Sequence, residues 1–162
     1  MTEYLTEIFN FISTEFKVLF TAVLPIIEVR GAIPVGIALG MSPLHATIIA
    51  FLGSIIPIPF IMLTIRPIFK YLRTTRTFKK MVNKITKKSI EKSENIQKYG
   101  YIGLFIFVAI PLPGTGVWSG SLIASLLDMR LKYAFPAIVL GNMVAAIAIM
   151  ILSFGVMSVF GQ

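Results

Sequence analysis

The chain has 162 residues, of which 56% are hydrophobic and only 14% are charged, and its mean hydropathy is +0.87. Soluble domains of this length carry more charge, so the composition indicates an integral membrane protein. At about 20 residues per spanning helix there is room for four or five crossings, which excludes a large receptor or channel made by one copy. The absence of cysteine excludes disulfides, thiolate metal sites and a cysteine nucleophile.

Residues 1–17 are predicted to form an amphipathic N-terminal helix. Apolar residues recur there at helical spacing: Leu5, Ile8, Phe9, Ile12 and Phe16. Such a helix lies in the membrane interface or packs against the helical bundle. A span over residues 8–27 is an open alternative.

Residues 66–98 form a strongly basic segment that carries 11 of the 15 cations of the chain. By the positive-inside rule, a segment this basic beside membrane spans stays in the cytoplasm. Its apolar stripe predicts an amphipathic helix on the inner leaflet, attracted to anionic lipid. Nucleic-acid binding is not favoured, because no aromatic side chains for base stacking interleave the charges.

An internal repeat relates the two halves of the chain. Residues 24–53 recur 88 positions later as residues 112–141, with 8 identities in 30, where chance would give about 3. The identical pairs are Leu24/Leu112, Pro25/Pro113, Val29/Val117, Leu39/Leu127, Met41/Met129, Ala46/Ala134, Leu52/Leu140 and Gly53/Gly141. The chain is therefore interpreted as one membrane domain, with repeat 1 at 18–65 and repeat 2 at 99–162.

Each repeat is predicted to contain a re-entrant helical hairpin followed by a transmembrane helix. Residues 44–65 and 131–160 are long enough to span. The segments 18–41 and 100–128 are interrupted by breaks at 24–34 and 110–116, which leave arms too short to cross. Irregular backbone at membrane depth must be covered by protein or water, so the two breaks are expected to meet inside the molecule. The first hairpin is expected to enter from outside and the second from inside, which makes an inverted repeat in an all-α fold.

The two breaks hold the candidate binding and transport residues. They are Glu28, Arg30, Gly31, Pro34, Pro111, Pro113, Gly114, Thr115, Gly116 and Trp118, with Asn142 as a further candidate on the second span. Charges inside an apolar stretch cost at least about 2.5 kcal/mol each, so Glu28 and Arg30 indicate a functional site. A salt bridge that only holds the hairpin is the alternative.

Two new helices are expected to begin at the breaks, one near Pro34 and one near Val117, the latter capped by Thr115. Their N-termini and Arg30 outline a site for a phosphate-like head group, while Glu28 could exchange protons. Trp118 either lines the pathway or fills the core. Asn142 is expected to bond to a neighbouring helix.

No enzymatic activity, metal or cofactor is expected. His45 is the sole histidine, and the chain has no Gly-rich phosphate loop or nucleophile elbow. His45 and the cluster of Asp128, Arg130 and Lys132 are interpreted as interfacial anchors.

The segments 28–36 (EVRGAIPVG) and 111–120 (PLPGTGVWSG) resemble the two signature segments of the putative small multi-drug export family. That family is similar to the DedA group, whose paired re-entrant hairpins are implicated in moving undecaprenyl phosphate and other lipids. The arginines that the DedA pattern has around the second Pro-Gly turn are missing here, where Phe107, Val108, Ala109, Val117 and Trp118 stand.

The resemblance implies a transporter or flippase that moves an amphipathic anionic lipid such as a polyprenyl phosphate, with protons as a coupling ion. Export of lipophilic cations is the alternative, with Glu28 as the counter-charge and Trp118 as an aromatic wall. A membrane scaffold without transport is a third reading. So small a bundle is expected to form a homodimer, in a bacterial plasma membrane.

Overall fold

The computed structural model describes residues 2–74, 83–84, 87 and 94–160. Its described elements are α-helices, as the composition predicts. Their bounds are α1 Thr2–Val23, α2 Glu28–Ala38, α3 Pro43–Ile55, α4 Pro57–Thr74, α5 Glu94–Ala109, α6 Val117–Leu126 and α7 Leu131–Phe160. The greater part of the basic segment 66–98, where an amphipathic helix is predicted, lies outside the described residues.

Two helical stretches among the described residues are long and apolar enough to cross a membrane: Pro43–Ile65 and Leu131–Gly155. They agree in length and composition with the predicted spans 44–65 and 131–160. The first stretch joins α3 to the start of α4 through Ile56, whose backbone stays helical at φ −53° and ψ −46°. Pro57 begins α4, and proline is tolerated in a first turn because its missing N–H is not needed there.

Both segments that were predicted to be broken contain a break. The helix is interrupted at residues 24–27, between α1 and α2, and at residues 110–116, between α5 and α6. The second break has the predicted extent, whereas the first is shorter than predicted because α2 already begins at Glu28. The expectation that a new helix begins near Pro34 is wrong: Pro34 lies inside α2, where it removes one helical hydrogen bond.

The N-terminal helix also differs from its predicted bounds. The sequence predicts an amphipathic helix over residues 1–17 and a separate hairpin arm from residue 18. The structure has one helix, α1, that continues through both stretches to Val23. No proline or glycine lies between residues 2 and 23, so the backbone has no local reason to stop at residue 17.

The chain divides into two compact units. The first unit contains α1, α2, α3 and the part of α7 from Met143 onwards. The three helices α1, α2 and α3 contact one another. Small and branched side chains form the buried core, which allows close helix packing; it consists of Val18, Ala22, Val29, Ala32, Ile33, Ala50 and Ala146.

The second unit contains α4, α5, α6 and the part of α7 up to Asn142. Helix α6 packs against α4 and α5. The fully buried side chains of this unit include Leu104 and Val108 on α5, Val117 on α6 and Ile138 on α7. Each unit therefore contains two helices separated by a break, together with the start of a candidate span.

The two units share backbone features at the same offset of 88 that relates their sequences. Left-handed φ angles occur at Glu28 (49°) and Gly116 (124°), and again at Gly40 (90°) and Asp128 (52°). After α2 the amides of residues 39, 40 and 41 donate to the carbonyls of 35, 37 and 36, and after α6 the amides of 127, 128 and 129 donate to those of 123, 125 and 124. These local backbone features therefore recur at the spacing of the predicted sequence repeat.

Two glycines at matching positions permit a close approach of helices within each unit. A Cβ added at Gly53 would lie 2.5 Å from the carbonyl oxygen of Leu19, and one added at Gly141 would lie 2.6 Å from that of Phe105. Leu19 and Phe105 are 86 positions apart, not 88, since the second break is longer than the first. The ungapped repeat therefore applies from α2 and α6 onwards, and α1 matches α5 at an offset of 86.

Candidate functional site

The predicted site residues are divided between the two units. Glu28, Arg30, Gly31 and Pro34 belong to the first unit, at the start and middle of α2. Pro111, Pro113, Gly114, Thr115, Gly116, Trp118 and Asn142 belong to the second unit. The expectation that the two breaks meet stays a prediction.

Glu28 and Arg30 form an ion pair at the start of α2. Nη1 of Arg30 donates a hydrogen bond to Oε2 of Glu28 over 2.7 Å. The Glu28 side chain is only 4% exposed, and the Arg30 side chain is 18% exposed. The salt bridge that the sequence left open for these two residues is therefore present.

The backbone at Glu28 explains how residues two positions apart can meet. On a regular helix such residues point in different directions. Glu28 has a φ of 49°, in the left-handed region that costs a residue other than glycine about 1–2 kcal/mol. This departure from helical geometry at the first residue of α2 allows its carboxylate to reach the guanidinium of Arg30.

Gly31 is needed where α2 leaves the break. A Cβ at this position would collide with Cγ2 of Ile27, the residue just before the helix. The amide of Gly31 donates to the carbonyl of Ile27 over 2.9 Å and makes the first hydrogen bond of α2. A side chain at residue 31 would therefore require the Ile27 side chain or the backbone beside it to move.

The charges of the pair compensate each other in apolar surroundings. Val29, Ala32 and Ile33 beside them are buried. The Glu28 carboxylate also lies at the N-terminus of α2, where the helix dipole favours a negative charge. Burying either charge alone would cost several kcal/mol, so each side chain depends on the other.

The pairing changes what Arg30 can do. The sequence predicts that Arg30 binds a phosphate-like head group, but its guanidinium already holds the carboxylate of Glu28 in this structure. An incoming anion has to share Arg30 with Glu28. An incoming cation has to take Glu28 from Arg30.

The Thr115 hydroxyl bonds within the second break, and its predicted role as the cap of α6 stays a prediction. Its Oγ1 lies 2.7 Å from the carbonyl oxygens of both Ile110 and Leu112, and its hydroxyl donates back into the break. The N-cap position belongs to Gly116, which makes no side-chain cap. The Thr115 hydroxyl therefore helps to close the turn of the second break.

The second break depends on glycine for its shape. Gly114 has a φ of 82° and Gly116 a φ of 124°, which side chains of L-residues rarely adopt. Pro111 and Pro113 alternate with exposed Leu112 and supply no N–H, so the stretch cannot continue α5 as a helix. Trp118 is half-buried in the first turn of α6, and Asn142 is buried at 1% exposure on α7.

The repeat assigns different chemistry to matching positions of the two breaks. At the offset of 88, Glu28 corresponds to Gly116, and Arg30 corresponds to Trp118. The left-handed residue at the helix start is thus a carboxylate in the first unit and a glycine in the second. The two helix starts share a left-handed residue, but of these matching positions only those of the first unit carry charge.

Sequence reasoning missed one further polar pair in the first unit. Nε2 of His45, at the start of α3, lies 2.5 Å from Oε1 of Glu15 on α1. Glu15 and His45 are 30 residues apart, so no local pattern connects them. His45 was interpreted as an interfacial anchor, and its contact with Glu15 ties the start of a candidate span to the first helix.

These features define a helical membrane protein with an ion pair buried at a break in an apolar segment. The family model for "putative small multi-drug export protein" matches residues 28–148, from the ion pair to the middle of α7. The chain belongs to this family. No curated protein and no solved structure matches it. The description of the family, together with the two apolar candidate spans, indicates a membrane export protein.

Proposed function

We propose that the protein exports amphipathic organic cations across a membrane, without chemical modification of the substrate. The observation that carries this proposal is the buried pair of Glu28 and Arg30 at a break in an apolar segment. A carboxylate kept away from water attracts cations strongly. The description of the family, which names small multi-drug export, supports the same class of substrate.

In this proposal Arg30 is the resting partner of Glu28. A cationic substrate replaces the guanidinium at the carboxylate, and Arg30 turns toward its more exposed side. The Arg30 side chain is 18% exposed and that of Glu28 is 4% exposed, so Arg30 is the partner that water can solvate when the pair separates. Release of the substrate restores the pair.

Proton coupling follows from the same carboxylate. Glu28 can bind either a proton or a cation, because protonation neutralises the carboxylate and weakens its attraction for a cation. Alternate loading with protons and substrate would couple export to a proton gradient. The coupling ion in the proposal is therefore the proton, with Glu28 as its carrier.

The test is transport of tetraphenylphosphonium by the purified full-length chain in proteoliposomes, with a pH gradient of either sign. Glu28→Gln keeps the size of the side chain and removes its charge, so we expect loss of the tetraphenylphosphonium transport that the pH gradient drives. Glu15→Gln is the matched control, because it removes a carboxylate from a more exposed pair in the same unit. Unchanged transport by Glu28→Gln, or equal loss in both variants, would refute the role of Glu28.

An anionic lipid such as a polyprenyl phosphate is the second candidate substrate. The exposed fractions of the two side chains favour an anionic substrate, because the cation Arg30 is more exposed than the carboxylate of Glu28. Binding of a polyprenyl phosphate that is lost in Arg30→Ala but retained in Lys17→Ala would support this lipid as substrate.

The membrane arrangement that we propose is the one that the sequence predicts. The basic segment 66–98 is cytoplasmic, the first break is entered from outside and the second from inside, and the two form an inverted repeat of re-entrant hairpins in a bacterial plasma membrane. A homodimer would cover the exposed tips of the breaks, where Ile26 is 93% and Leu112 is 56% exposed.

A further inference from the structure

Tyrosines and cations form an exposed surface on the second unit where α5 and α7 begin their apolar stretches. We call this the tyrosine–lysine surface; it consists of Lys98, Tyr99, Tyr101, Arg130, Lys132 and Tyr133. The rings of Tyr101 and Tyr133 pack at 5.5 Å between centroids, inclined by 51°, and so join α5 to α7. Nζ of Lys98 lies 5.3 Å from the Tyr99 ring, and Nζ of Lys132 lies 5.9 Å from the Tyr133 ring.

The position of this surface along the helices corresponds to a membrane boundary. The candidate span Leu131–Gly155 begins beside Lys132, and the apolar helix Lys98–Ala109 begins at Lys98. The contact between Tyr101 and Tyr133 therefore lies where both helices turn from polar to apolar. Tyrosine is enriched at this depth because its ring is apolar and its hydroxyl can reach water.

The matching positions of the first unit have a different chemistry. At the offsets established for the repeat, Tyr101 corresponds to Glu15 and Tyr133 corresponds to His45. Both pairs join the helix before a break to the start of a candidate span, one through two rings and the other through a carboxylate and an imidazole. In the first unit Glu15 has one exposed cation close in sequence, Lys17, whereas in the second unit Lys98, Arg130 and Lys132 outnumber exposed Asp128 and give the surface a net positive charge.

We propose that the tyrosine–lysine surface binds the head groups of anionic phospholipids. Exposed Arg130 and Lys132 supply charged donors for phosphate oxygens, and the half-exposed Tyr133 supplies a hydroxyl donor at the same level. The apolar stretches of α5 and α7 that follow this surface would lie beside the acyl chains of the same lipids. The occupant is a bilayer lipid and not free phosphate, because the cations border a membrane-spanning helix.

The test is native mass spectrometry of the full-length chain from micelles that contain equal amounts of phosphatidylglycerol and phosphatidylcholine. We expect Lys132→Gln and Arg130→Gln each to lower the preference for retained phosphatidylglycerol about fivefold, which corresponds to about 1 kcal/mol for each cation near a lipid surface. Lys17→Gln, an exposed cation near Glu15 in the first unit, should leave that preference unchanged. The basic segment 66–98 stays the same in all variants.

Two further measurements separate this proposal from a general attraction of cations to lipid. Arg130→Lys keeps the charge and should restore most of the preference. Inorganic phosphate should not displace the retained lipid. Equal retention of both lipids by the unmodified chain, an equal loss in Lys17→Gln, or displacement by inorganic phosphate would overturn the proposal.

Discussion

Neutralising Glu28 should destabilise the protein by leaving Arg30 without its carboxylate. The perturbation is Glu28→Gln, which keeps the shape of the side chain and removes one charge of a pair that is 2.7 Å apart. The glutamine oxygen can still accept a hydrogen bond, so the loss is mainly that of charge compensation. Arg30→Gln removes the other charge, and the double variant removes both.

The expected magnitude follows from the burial of the two side chains. Breaking a buried ion pair by removing one partner costs about 3–5 kcal/mol. The Glu28 side chain is buried at 4% exposure, whereas the Arg30 side chain is 18% exposed and retains some contact with water. We therefore expect a loss of about 3 kcal/mol in the free energy of unfolding for Glu28→Gln. The double variant should lose less than the sum of the two single variants by about 2 kcal/mol, since no charge is left unpaired.

The assay is reversible unfolding of the purified chain in mixed micelles, with rising sodium dodecyl sulfate and the fluorescence of Trp118, the single tryptophan, as the signal. The matched control is Glu15→Gln, whose pair with His45 is 26% and 37% exposed and is expected to contribute about 0–1 kcal/mol. A loss of unfolding free energy for Glu28→Gln that is no larger than for Glu15→Gln would contradict the expected contribution of the buried pair. Full additivity in the double variant would show that Glu28 and Arg30 do not compensate each other. Normal stability combined with lost transport would assign Glu28 to function alone.

Two other predictions test the repeat. Gly53→Ala and Gly141→Ala should each destabilise the protein by about 3 kcal/mol in the same unfolding assay, because the new methyl group would meet a backbone carbonyl oxygen at 2.5–2.6 Å. Gly155→Ala is the control and should be neutral or slightly stabilising, since there is open space at its Cβ. Equal effects at all three positions would contradict the close helix packing at Gly53 and Gly141. Single cysteines at Lys17 and Lys132, introduced into a chain that has none, should react with an impermeant maleimide from opposite sides of the membrane, and labelling from one side would exclude the inverted arrangement.

The sequence predicted those parts of the fold that depend on neighbouring residues. The spans followed from continuous apolar stretches, and the second break followed from Pro111, Pro113, Gly114 and Gly116, whose backbones cannot continue a helix. Pro34 was misleading, because a proline is compatible with a helix interior that tolerates one missing hydrogen bond. The sequence also did not show that the Thr115 hydroxyl reaches the carbonyls of Ile110 and Leu112, because that depends on how the break turns.

The sequence identified Glu28 and Arg30 as candidates because charges are costly in an apolar segment. It could not decide whether the two side chains touch, since that depends on the left-handed backbone of Glu28. The repeat likewise showed which positions correspond, but not that Glu15 meets His45 or that Tyr101 meets Tyr133. These pairs are 30 and 32 residues apart in the chain, and no local pattern connects them.

Hydropathy and the spacing of proline and glycine, which act over one or two helical turns, were sufficient to establish the membrane class, the candidate spans and the positions of the breaks. Contacts between side chains and between helices were decided only by the tertiary structure. They are the ion pair between Glu28 and Arg30, the close approach of helices at Gly53 and Gly141, and the pairs Glu15–His45 and Tyr101–Tyr133. The physical reason is that local propensity depends on neighbouring residues, whereas the partner of a buried charge depends on how the whole chain packs.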